Sequence, residues 1–159
     1  MGWMAGKIKL LLSVPFLYRW NNMKTKTKPK TKVTTENLIS LDCTKEENKA
    51  KLNKFLWKVK PVAKLAEREG IETNGKLHME LLEIALMGIC EHYGYILQGI
   101  EAYMETNEQN KKVFQFWHMG ILDSERKWIG TVNGITLWEV VAKSIIKIYA
   151  DIVKGRNEK

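Results

Sequence analysis

Two groups of charged residues are the part of this sequence best able to do chemistry. Lys49, Lys51, Lys54 and Lys58 fall close together with few acids among them. Ammonium groups at that density suit phosphates or an acidic protein surface. Glu80, Glu83 and Glu91 form the opposing group. On a helix they make an acidic stripe, which would suit a protein that imitates nucleic acid in a basic groove. Each group also has a plainer reading, a solvated helix face.

Other reactive residues do not assemble into a recognisable constellation. His78, His92 and His118 do not fall at metal-ligand spacings. Cys90-Glu91-His92 is the nearest approach, but Cys and His two apart on a helix point in different directions. The sequence holds no Gly-rich phosphate loop, no GxGxxG and no nucleophile elbow. Trp117, Trp128 and Trp138 could stack bases, and core packing is the expectation set beside it. Cys43 and Cys90 read as two free thiols of a reducing cytosol. The expectation is therefore a non-enzymatic protein without a cofactor or a metal.

Charge divides the chain. Eight of the 26 Lys and Arg lie in residues 1–32, where there is no acid; the remaining 18 match the 18 acidic residues. The net charge of +8 thus belongs to an arm, and the body is neutral. Lys24 to Lys32 alternates Lys with Thr or Pro and has no apolar residue, so a disordered basic leader is expected over 1–32. Leu10 to Tyr18 is apolar but too short to cross a bilayer, which takes about 20 residues. No small-residue cleavage site follows it, which argues against secretion. A further expectation is that translation starts at Met23, because Arg19-Trp20 can be encoded by a purine-rich string like a bacterial ribosome-binding site.

The elements that must position the charged groups follow in order. Thr34 to Leu41 reads as extended. Thr44 and Glu47 have the spacing of a capping box, and Leu52, Phe55, Leu56 and Val59 recur at helical spacing until Pro61 ends or kinks the helix at Lys60. A short piece, Val62 to Glu69, stops at Gly70. Asn74-Gly75 marks a turn. Leu77 to Tyr93 is a patterned helix closed by Gly94. Tyr95 to Glu105 reads as strand, with helix as the alternative; Val113 to Leu122 and Trp128 to Val132 are strands. Val113 to Leu122 is apolar on both faces, which predicts helical cover on both sides. Asn133-Gly134 is a second turn signal. Thr136 caps the next helix with Glu139 reaching back. That helix runs to Lys154 with only a narrow polar stripe, Glu139, Lys143, Lys147, Asp151 and Lys154, so it should be largely buried. The fold class is α+β: two N-terminal helices, a three-stranded antiparallel meander and a C-terminal helix packed on the sheet, with 33–75 an N-terminal helical segment and 76–155 an α-β-β-β-α core.

Two resemblances come from these residues. The order from Leu77 to Val153 resembles the double-stranded RNA-binding domain in topology. That family carries a Lys-rich cluster at the start of its last helix; Thr136, Leu137, Trp138 and Glu139 stand there in this sequence. The stretch from Trp128 to Lys143 resembles the ending of small phage and prophage proteins of Gram-positive bacteria. That resemblance implies a mobile-element protein that regulates or inhibits host machinery such as a CRISPR nuclease. The expected partner is a host protein or ribonucleoprotein in the bacterial cytoplasm, without a membrane role. The alternative is a nucleic-acid-binding accessory protein using the basic arm and the Lys-rich first helix.

Overall fold

Residues 34–157 are described by the computed structural model, with side chains to 155. The leader, the Leu10–Tyr18 run and the Met23 start lie outside the described residues. The first described element is helical, not extended. Thr34 accepts a hydrogen bond from the Asn37 amide through its hydroxyl (3.2 Å) and caps α1, Thr35–Ile39. A capped first turn that buries Leu38 outweighs the local β-branched content.

The expected Thr44–Glu47 capping box does not form. Asp42 takes both the Thr44 amide (3.0 Å) and the Thr44 hydroxyl (2.7 Å), so the hydroxyl is spent on a local Asx turn. Helix α2, Glu46–Leu56, starts at Lys45 without a side-chain cap. It ends four residues short of the expected Lys60, and Pro61 sits in the first turn of α3, Lys60–Arg68, where its missing N–H costs nothing. Gly70, at φ +79°, ends that helix.

The Asn74-Gly75 turn is present, with Asn74 at φ +67°. It is pinned to α2. The Asn53 amide and the Trp57 indole both donate to the Gly75 carbonyl (3.0 and 2.8 Å), and the Leu77 amide donates to Asn53 Oδ1 (2.9 Å). Helix α4, Met79–Tyr93, is capped by the His78 ring, which accepts from the Leu81 amide. It ends at Gly94, whose φ of +81° and amide bond to the Cys90 carbonyl match the expected stop.

The sheet is antiparallel, with a long central strand. The expected strand over Tyr95–Glu105 is split into β1, Ile96–Leu97, and β2, Glu101–Thr106. Both pair with the same side of β3, Lys112–Leu122, β1 at Ile121–Leu122 and β2 from Lys112 to His118. The register moves by one residue between them, which accounts for the break around Gly99. A second shift, between Tyr103 and Met104, leaves Gln115 extra on β3. Strand β4, Trp128–Gly134, pairs with the other side of β3 and puts Met119 opposite Val132.

Asn133-Gly134 is not a turn. Both residues stay in β4, opposite His118 and Trp117. Gly134 belongs there because a side chain at that position would strike Glu139 at 2.9 Å. The turn moves on to Ile135–Thr136. Helix α5, Leu137–Asn157, follows; Val140, Val141, Ala142, Ile145, Ile146 and Ile148 are all buried in it. This is the core helix, packing on α1, α2, α4, β3 and β4. Two members of its expected polar stripe are buried as well. Glu139 accepts from the Ile135 amide (3.0 Å), and Lys143 reaches the Leu41 carbonyl (2.7 Å).

Among the described residues, helices cover only one face of the sheet. Helix α5 packs against the face carrying Met119, Ile121 and Val132. The opposite face is clad by its own aromatics. The Trp128 indole lies across Gly120, where a Cβ would meet the ring at 2.6 Å, and Tyr103 stacks on Phe116 at 4.9 Å. Trp128 remains 53% exposed.

Candidate partner-binding site

The charged groups occupy different surfaces. Lys51 and Lys54 are exposed on α2, and Lys58 is exposed just beyond its end. At i, i+3 and i+7 they form one outward row. Lys49 is turned away from that row. Its ammonium sits 5.6 Å from the centre of the Trp138 ring and 4.0 Å from Glu46. The structure therefore brings three of the four lysines together and gives the fourth another surrounding.

Lys49 and Lys54 also line a cleft of about 460 Å³ with Lys76, Ala50 and Trp138. Trp138 is half-buried, and its indole donates to the Leu77 carbonyl at 2.8 Å. It is thus both core and wall. The sequence pointed to Trp138 only as core or as a stacking ring.

The acidic group has unexpected company. On α4 the core stripe is Leu81, Leu82, Ala85, Leu86 and Ile89. Ile84 and Met87 lie off that stripe and are 55% and 66% exposed. Helical spacing puts them on the outward face with Glu80, Glu83 and Glu91, all exposed. The face reads acid, apolar, acid along the helix. A cleft of about 450 Å³ runs along one flank between α3 and α4, and one of about 610 Å³ runs along the other towards Tyr95 and Leu97. Gly88 borders both, and a side chain there would meet only open space. The signal for this surface was in the sequence: α4 has more apolar positions than one buried stripe can use.

The remaining reactive groups are quiet. Burial pushes the thiols of Cys43 and Cys90 up to about 11, with the Glu139 carboxylate adding to the effect at Cys43. Both are held in the protonated, less nucleophilic form at neutral pH. Burial and the hydrogen bond to Asp151 (2.5 Å) raise the Tyr95 phenol well above its usual range. His92 makes an edge contact with the Tyr93 ring, and His118 lies 3.7 Å from Glu101. Among the described residues, no three of His, Cys, Asp and Glu converge as metal ligands. No described helix is long and apolar enough to cross a membrane.

Compared with known proteins, the chain matches no family model, no curated protein and no solved structure.

Proposed function

We propose that this protein is a non-enzymatic interaction module that docks on a host protein or ribonucleoprotein through the outward face of α4. The observation that carries the reading is the exposure of Ile84 and Met87 between flanking carboxylates. Large apolar side chains grouped on one outward face mark interaction sites. Interface energy concentrates in a few apolar anchors, while charged rims set orientation and approach rate. Here the anchors are Ile84 and Met87, and the rim is Glu80, Glu83 and Glu91. The complementary partner surface is an apolar spot bordered by basic groups, as in a groove built for nucleic-acid phosphates. A phage or mobile-element inhibitor acting in the bacterial cytoplasm, on a complex such as a CRISPR nuclease, fits this surface. The resemblance of Trp128–Lys143 to small phage and prophage proteins supports that origin.

The second reading, nucleic-acid binding through the basic arm and the Lys51, Lys54 and Lys58 row, is favoured by the shared orientation of those three lysines. Three variants separate the readings: Ile84→Glu/Met87→Glu, Glu80/Glu83/Glu91→Lys and Lys51→Glu/Lys58→Glu. Each is checked for its thermal midpoint, then used with the wild type for affinity purification from a bacterial host and rebinding to the purified partner. The expected result is that the first two lose the partner and the third keeps it. A strong duplex RNA or DNA shift at physiological salt, abolished by the lysine variant alone, would replace the α4 reading with the second.

A further inference from the structure

The cleft beside Trp138 joins features that the α4 face lacks. Three cations border it, Lys49, Lys54 and Lys76, against one carboxylate, Glu46. Among the described residues the ammonium groups of Lys54 and Lys76 make no ion pair or hydrogen bond. Lys49 has only the long contact to an exposed Glu46 and its place over the indole. The floor is apolar, made by Ala50 and Trp138. Two of the polar groups in the wall are already spent. Asn53 holds Gly75 and Leu77, and the Trp138 indole N–H holds the Leu77 carbonyl. Such a site reads charge and apolar contact, and it has little to offer a ligand that needs several directed hydrogen bonds.

We infer that this cleft receives an acidic segment of a partner protein, with an aromatic or aliphatic side chain seated on Trp138 and Ala50 and neighbouring carboxylates paired with Lys49, Lys54 and Lys76. The unpaired ammonium groups set the charge of the occupant, and the indole and the alanine set its apolar anchor. Single-stranded nucleic acid is the disfavoured occupant. Residues 33–159 carry 18 basic and 18 acidic residues, so beyond the three lysines the body offers a phosphate backbone little attraction. This inference stands apart from the α4 reading, since the cleft shares no residue with the clefts along that helix.

The test is nuclear magnetic resonance of the full chain labelled with ¹⁵N. The indole N–H signal of Trp138 is identified by its loss in Trp138→Phe. The probes are a blocked Asp-Phe-Glu tripeptide, a blocked Lys-Phe-Lys tripeptide and a short oligothymidylate. The expected result is a saturable shift with the acidic tripeptide and none with the basic one. Lys49→Gln/Lys54→Gln/Lys76→Gln should weaken it about three- to tenfold, as expected for a few exposed ion pairs. Ile84→Glu/Met87→Glu should leave it unchanged, so failure here and failure at α4 are told apart. No saturable shift, an equal shift in the glutamine variant, or tighter saturation by oligothymidylate would each overturn the inference.

Discussion

Lys143 donates to Glu139 at 2.5 Å, one turn earlier on α5, and the two side chains are only 5% and 4% exposed. The pair is more than a helix contact. Glu139 also receives the Ile135 amide that opens the helix, and Lys143 reaches the Leu41 carbonyl beyond α1. One ion pair thus ties the end of β4, the start of α5 and the α1–α2 loop.

Removing one partner should therefore be costly. Lys143→Ala leaves a buried carboxylate without its cation, a loss that typically costs about 3–5 kcal/mol. Replacing both, as Glu139→Gln/Lys143→Met, should cost much less, because no lone charge remains. Urea titration of the two variants checks the ordering. Equal losses would mean that the charges themselves contribute little.

Gly120 and Trp128 should behave as a coupled pair. A Cβ at 120 would meet the indole at 2.6 Å and the Gln98 side chain at 2.9 Å. Gly120→Ala should destabilise by about 1–3 kcal/mol through overpacking. In a Trp128→Ala background the same change should cost less, because the ring no longer needs the space. A double-mutant cycle measures the coupling, and additive losses would show that Trp128 yields freely.

The thiols predict a slope in alkaline stability. Cys43 and Cys90 are raised from 9.0 to about 11, so the folded protein keeps protons that the unfolded chain releases. Their contribution is fully present below about pH 9 and is lost as pH rises towards 11. Tyr95, raised by burial and by Asp151, acts in the same direction at higher pH. The slope of unfolding free energy over that window should flatten in Cys43→Ala/Cys90→Ala. At pH 8 iodoacetamide should modify both thiols more slowly than it modifies glutathione.

The parts legible from sequence were those set by neighbours along the chain. Gly94 as the stop of α4, the strands over Val113–Leu122 and Trp128–Val132, and the burial of α5 rest on local pattern and composition. Competing local bonds and contacts between distant segments defeated the rest. Thr44 had two possible partners, and Asp42 won by proximity. Asn133-Gly134 stayed in β4 because the Glu139 side chain needed the space beside Gly134. Lys143 looked solvent-facing until the Leu41 carbonyl arrived from α1. The cleft was hidden for the same reason: Lys76 joins Lys49 and Lys54 only because Asn53 and Trp57 fasten the turn at Gly75 to α2. The apolar surplus on α4 could be seen, but which residues faced outward depended on how α3 and α5 pack against it.

The bond from Lys143 to the Leu41 carbonyl spans 102 residues, and that span has a consequence for synthesis. Translation delivers α1, α2 and α4 long before the wall they share, α5, leaves the ribosome. Until then Leu38, Leu52, Leu56 and Leu81 have no Ile145 or Ile146 to close against. Long-range closure of this kind slows folding and prolongs the life of partly exposed chains. The growing polypeptide, more than the finished one, is the form that proteases and chaperones will meet with its core open.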